Sequence, residues 1–133
     1  MILLDTHTLV WLRAGDNRLG AKARRAVEKA HEQGEILVSA ISFWEAAMLN
    51  DMGRIKLNMG PASWRQRILD DGVIEIPITG DIGIRATELL PSHPDPADRM
   101  IVATAQGVQA TLCTADGPLL GMKLPVKTID ATA

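Results

Sequence analysis

The sequence has one cysteine, Cys113, in 133 residues. A lone thiol excludes an internal disulfide and any Cys-rich zinc or iron–sulfur site. Histidine is also scarce: His7, His31 and His93 stand far apart, so no HxxxH or HExxH zinc pattern forms. No run reaches the roughly 18 consecutive apolar residues that a membrane span needs. The opening run Met1-Ile2-Leu3-Leu4 stops at Asp5 with no basic residue before it. It falls short of the roughly 7–15 apolar residues of a signal-peptide core, so the expected compartment is the cytoplasm. Internal repeats, low-complexity tracts and linkers able to separate two domains are missing as well.

Excess charge of either sign is absent too, with a formal net charge of -2. The basic footprint of a typical nucleic-acid-binding domain is therefore not evident, although metal ions at an acidic site can supply positive charge that residue counts miss. What is present is a chain 47% hydrophobic and 23% charged, enough for one real core. One domain over residues 1–133 is expected.

Short apolar runs alternate with segments of helical period. Strands are read at 2–4, 36–38, 73–76, 111–113 and 126–129. Helices are read at 6–14, 22–33 (with Gly34 as C-cap), 41–52, 61–70, 81–90 and 97–106, the last opened by Asp95 as N-cap and Pro96 at N1. Apolar strands alternating with helices indicate a parallel sheet covered on both faces. The expected class is α/β, a three-layer arrangement with a central, mostly parallel sheet flanked by helices. Ligands of such sheets bind at the carboxyl ends of the strands.

Four acids draw attention to that edge. Asp5 ends the first strand, where it can cap the next helix. An aspartate directly after an apolar strand also invites a ligand or an ion partner. Glu45 is the only charged residue between Glu35 and Asp51, in a segment apolar nearly all round. Its structural explanation is a capping box, Ser42-x-x-Glu45. Asp98 falls at N3 of its helix, where acids favour the helix dipole; the neighbouring Arg99 reads as a surface ion-pair residue. Asp116 lies in Ala115-Asp116-Gly117-Pro118, an ordinary turn signal. Each acid has a local reason, yet all four share the carboxyl edge. Four converging carboxylates repel one another unless cations hold them ionised. Oxygen ligands without histidine or cysteine select hard ions such as Mg²⁺ or Mn²⁺. Such ions can turn a bound water into hydroxide and stabilise charge on a phosphoryl group, the chemistry of phosphodiester hydrolysis.

Four segments in order carry a family resemblance: Met1-Ile2-Leu3-Leu4-Asp5-Thr6-His7-Thr8-Leu9-Val10-Trp11, Ser39-Ala40-Ile41-Ser42-Phe43-Trp44-Glu45, His93 to Ala105, and Thr114-Ala115-Asp116. Over essentially its whole length the chain resembles a PIN-domain ribonuclease of the VapC toxin type. That resemblance implies a PIN-like fold and an acidic quartet of Asp5, Glu45, Asp98 and Asp116. It implies Asp5 and Asp98 as the main metal ligands, Asp116 joining directly or through water, Glu45 orienting or deprotonating the attacking water, and Thr114 in support. It also implies a cytoplasmic, usually dimeric toxin, silenced by a small antitoxin that inserts a segment into the acidic groove. The implied substrate is structured RNA such as tRNA.

Other residues divide between roles. His7 can anchor a turn or act beside Asp5. Trp11, Trp44 and Trp64 can stack on bases, but Trp11 and Trp44 fall in apolar helical patterns that favour core or dimer packing. Arg13 and Arg54-Ile55-Lys56 are phosphate-contact candidates or a solvated surface. Among competing functions, a haloacid-dehalogenase-type phosphatase needs an Asp two residues after Asp5, where the chain has His7. A receiver domain needs an Asp ending its third strand, where Ile76-Pro77 stands. The remaining alternative is a PIN-like module that binds RNA or protein without cleavage, whose mark is loss of one or more of the four acids.

Overall fold

A computed structural model describes residues 1–89, 93 and 95–133. Five strands, β1 (Ile2–Leu4), β2 (Ile36–Ser39), β3 (Ile74–Ile76), β4 (Thr111–Thr114) and β5 (Thr128–Asp130), pair in the order β3-β2-β1-β4-β5. Every pairing is parallel. Seven helices occupy the described residues: α1 (Thr6–Ala14), α2 (Ala21–Glu32), α3 (Ala40–Asp51), α4 (Pro61–Asp70), α5 (Gly80–Leu89), α6 (Pro96–Val108) and α7 (Gly117–Leu120). The expected three-layer α/β fold is the one observed.

The register explains the layers. Leu3 pairs with Leu37 on one side and with Leu112 on the other. Because side chains alternate between sheet faces, this row points one way and packs on Ile101, Val102 and Ala105 of α6. The next row, Leu4, Val38 and Cys113, points the other way and meets Leu9 and Trp11 of α1, Val27 of α2, and Trp64 and Ile68 of α4. A smaller cluster joins α5 to α6 through Ile82, Ala86 and Ala103. All three central strands are therefore apolar on both faces.

Element boundaries shift where local signals compete. The helix read over 81–90 runs Gly80–Leu89; Leu90 and Pro91 lie outside the described residues, as does Pro94 of the motif beginning at His93. The helix read over 97–106 continues to Val108 and is closed by Gln109 at φ 57°, a left-handed residue supplying the C-cap. Gly34 follows the α2 C-cap Gln33 and takes φ 71°, the glycine-favoured region just outside the helix. The last strand is Thr128–Asp130, two residues later than the apolar pattern suggested, because Val126 packs on the Leu3 face instead. The Asp-Gly turn read at 116–117 is the start of the short helix α7, with Asp116 as its N-cap.

The strand order places a topological switch between β1 and β4: from β1 the chain moves outward to β2 and β3, and β4 and β5 lie on the other side. Open α/β sheets form their binding crevice where the crossover direction reverses. Asp5 follows β1 and Asp116 lies two residues past β4, so both stand at the carboxyl edge of that crevice. α6 leads into β4, which puts its N-terminus, with Asp95 and Asp98, at the same edge.

Candidate active site

The sheet edge forms a cavity of about 250 Å³ lined by Asp5, His7, Trp11, Glu45, Asp95, Asp98, Ala115 and Asp116. The four acids singled out in the sequence, separated by up to 111 positions (Asp5 to Asp116), therefore line one cavity.

Asp5 is buried, and both of its oxygens are engaged. The Thr8 N–H donates to Oδ1 at 3.0 Å, the helix cap expected of this residue. The Thr114 hydroxyl donates to Oδ2 at 2.5 Å. The same Thr114 oxygen accepts from the Asp116 N–H at 3.0 Å. One buried hydroxyl thus ties the end of β1 to the loop after β4, and a charge-assisted bond of this length fixes the Asp5 carboxylate. Asp116 also accepts the Leu119 N–H at 2.9 Å through Oδ1, so part of its carboxylate caps α7.

Asp98 behaves differently. Burial pushes its carboxyl up to about 7, opposed by the hydrogen bond from His93 and reinforced by repulsion from Asp95, Asp116 and Glu45. His93 is itself buried, and its Nε2 lies 2.9 Å from Asp98 Oδ2, a contact in which ring or carboxyl carries the shared proton. Glu45 is half-buried; burial raises its carboxyl above the usual range, opposed by the polar Thr6 side chain nearby. Both shifts have the cause expected of carboxylates crowded out of water without a cation.

Several local readings change. The capping box Ser42-x-x-Glu45 does not form: the N-cap of α3 is Ser39, three residues before Ser42, accepting the Ile41 N–H, and Ser42 instead pairs with the buried Thr6 hydroxyl at 3.1 Å. Glu45 therefore has no capping role and is left facing the cavity. Trp44 is not packed in the core; it is 57% exposed, because α3 buries only Ser42, Ala46 and Leu49. Trp11 is buried as the apolar pattern suggested, and Trp64 is buried as well. Arg99 makes no surface ion pair among the described residues; its Nε donates to the His93 carbonyl at 2.6 Å, holding the segment that carries the imidazole.

Histidine was set aside at the sequence level as a donor, yet His93, Asp98 and Asp116 offer ligand atoms all within 4.8 Å of one another. The lone signal was its place five residues before Asp98, and spacing of that kind matches no metal motif. Asp95 was read as an N-cap only. It does cap α6, accepting from Ala97 and Asp98 N–H groups at 2.9 and 3.3 Å, and it also lines the cavity. Carboxylates joined by one imidazole suit a hard divalent ion, and Mn²⁺ tolerates nitrogen better than Mg²⁺ does. The donor set fits such an ion, whose charge would offset both the burial that raises Asp98 and the repulsion from Asp95, Asp116 and Glu45 that adds to it.

Comparison with known proteins places this geometry among relatives. The family described as PIN domain matches residues 2–119. Ribonuclease VapC22 of Mycobacterium tuberculosis is 40% identical over 105 residues, 78% of each chain. Among solved structures, a toxin–antitoxin complex from Klebsiella pneumoniae matches with a TM-score of 0.69 at 22% identity, covering 98% of both chains. VapBC2 from Rickettsia felis, bound to a DNA fragment from its promoter, also reaches 0.69 at 19% identity, covering 97% of this chain and 98% of that one. At these identities the two structures speak for the fold.

Proposed function

The chain belongs to the PIN-domain family, and from that premise we propose that it is the toxin of a toxin–antitoxin pair, an endoribonuclease cutting phosphodiester bonds of structured RNA such as tRNA with Mg²⁺ or Mn²⁺. The proposal includes a single domain over residues 1–133, action in the cytoplasm as a homodimer, and silencing by a small cognate antitoxin. Among the described residues no helix is long and apolar enough to cross a membrane. The observation that carries the reading is the meeting of Asp5, Glu45, Asp98 and Asp116 in one cavity at the β1/β4 switch point.

Asp98 and Asp116, with Asp5, would hold the divalent ion, and His93 would complete or buttress the set. When bound, the ion supplies positive charge that acidifies a water and neutralises the phosphoryl oxygens. The protein's own groups then divide the work. Thr114 fixes Asp5 in one rotamer and links it to the Asp116 backbone. Glu45, whose carboxyl is raised by burial, faces the cavity as the group suited to accept the water's proton. The attacking water forms the new O–P bond, its proton passes to Glu45, and the ester O–P bond breaks with its electron pair leaving on the departing oxygen. A binding module without catalysis has no need of a proton acceptor with this environment, and the cavity retains all four acids.

The test is divalent-ion titration calorimetry on wild type and Asp5→Asn/Asp98→Asn, with tRNA cleavage measured on the same samples. Cleavage that requires Mg²⁺ or Mn²⁺ and disappears in the double variant supports the nuclease. Unchanged ion affinity in the variant refutes the metal assignment. Tight RNA binding by wild type with no cleavage under any divalent ion makes the binding module the correct reading.

A further inference from the structure

The acidic cavity does not end at His7. Two further hollows continue from it along α1, and α1 lines all three. His7 and Trp11 are shared by the acidic cavity and the second hollow. Val10, Ala14 and Lys56 are shared by the second hollow and a third of about 330 Å³. Positions 7, 10, 11 and 14 have the i, i+3, i+4, i+7 spacing of one helix face. At about 1.5 Å rise per residue that face extends the cavity by roughly 10 Å.

The charge of this extension is opposite to that of the cavity. Arg13, Lys56 and Arg67 line the third hollow, and Arg54 stands with Lys56 in the second. Two acids enter the balance, and both are occupied: Asp16 is paired with Arg18 at 2.7 Å, and Asp71 with Arg13 at 2.6 Å. Arg54, Lys56 and Arg67 are exposed and make no ion pair among the described residues. Three cations without an ion partner among the described residues thus line two adjoining hollows, on a chain whose net charge is -2. Their hollow has an apolar floor of Val10, Leu57 and Trp64.

We propose that this track along α1 binds a single-stranded RNA segment, with Lys56 and Arg67 holding backbone phosphates that lead away from the acidic cavity. The inference rests on the nuclease reading for its direction but not for its chemistry. Phosphate binding by cations supplies affinity without sequence information. The apolar lining presents no hydrogen-bond pattern that would select one base over another. A strand laid in the track places its next phosphate over the carboxylates, which repel it until a divalent ion is present. The charge pattern therefore couples substrate seating to metal loading: the track holds the strand, and the ion admits the phosphate to be cut.

The experiment is fluorescence anisotropy of a labelled oligouridylate in EDTA, titrated across KCl concentrations, for wild type, Lys56→Gln/Arg67→Gln and the charge-conserving Lys56→Arg/Arg67→Lys. Each phosphate contact on a single strand contributes about 0.7 to the slope of log affinity against log salt, so the Gln pair is expected to lower that slope by about 1.4. Affinity at low salt should fall roughly tenfold or more, while the conserving pair keeps the slope. Mg²⁺ affinity by calorimetry should be the same in all three proteins, which shows that fold and acidic cavity are intact. An unaltered slope in the Gln pair overturns the track. So does an unaltered slope accompanied by lost binding of a polyglutamate peptide, which would assign the surface to an acidic protein partner. If wild type cuts no RNA yet the slope falls as stated, the track stands and the nuclease reading fails. If wild type cuts and the Gln pair cuts with unchanged KM and slope, the nuclease reading stands and the track fails.

Discussion

Removing one charge from the cavity is expected to stabilise the metal-free protein, and the pH dependence of that gain follows from Asp98. Its carboxyl sits at about 7 in the folded chain against an ordinary 3.8. A carboxyl raised on folding contributes most stability below its unfolded pKa and loses that contribution as pH rises through the folded one. Asp98 is thus neutral and harmless near pH 4 and progressively costly between about pH 4 and 7. The displacement sets a ceiling of about 4 kcal/mol. The side chain is 15% exposed at the open mouth of the cavity, and water there screens the repulsion, so about 1–2 kcal/mol is the expected cost. Asp98→Asn keeps an oxygen for the His93 contact and cannot ionise. In EDTA at pH 8 it should melt roughly 3–10 °C above wild type, given about 3–5 °C per kcal/mol for a domain of this size. At pH 4 the difference should vanish or reverse. Saturating Mg²⁺ should then invert the order at pH 8, because wild type gains about 2.7 kcal/mol at one hundred times Kd and the variant gains less. The measurement is a set of thermal melts by circular dichroism from pH 4 to 8.5, with and without Mg²⁺. A stability gap independent of pH, or a wild type more stable than the variant at pH 8 in EDTA, refutes the crowding argument.

Thr114→Val keeps the side-chain shape and removes the hydroxyl that serves both Asp5 and the Asp116 N–H. It should cost about 2–3 kcal/mol in urea denaturation, since one buried carboxylate oxygen and one amide lose their partner, and weaken divalent-ion affinity measured by calorimetry. Arg99→Gln releases the His93 carbonyl and should lower kcat for RNA cleavage with little change in melting temperature; equal losses in both would reduce Arg99 to a structural role. Gly20→Ala places a Cβ 2.3 Å from the Ala133 carbonyl carbon, while Gly60→Ala, also at a helix N-cap, meets nothing within 4 Å. Chemical denaturation should show the first destabilised by about 1–3 kcal/mol and the second nearly neutral.

Much of the architecture was legible in the sequence because the local and global signals agree. The strands read over 2–4, 36–38 and 111–113 place apolar residues on both faces, a pattern that a sheet covered on both sides satisfies. Pro61 and Asp95-Pro96 mark helix starts by their own stereochemistry, since proline fits the first turn, where its missing N–H costs nothing. Asp5 and Glu45 could be singled out because an acid in or beside an apolar run is costly unless something engages it, and Asp98 and Asp116 because their helix start and strand end fall at the same sheet edge.

Other features depend on distance in space. The Thr6–Ser42 bond spans 36 positions, and it shows Ser42 occupied by another helix rather than by Glu45. Trp44 and Trp11 look alike in sequence, and only the docking angle of α3 leaves one 57% exposed and the other 9%. His93 reads as an isolated ring until α6 folds back and brings it to Asp98 and Asp116. Residue types and local spacing determined the strands, the helices and the inventory of acids, because those follow from propensity and periodicity along one chain segment. The tertiary structure alone decided which side chains share a proton, a hydroxyl or a hollow, because contacts between β1, β4, α1, α3 and α6 arise from packing that no short stretch of sequence encodes.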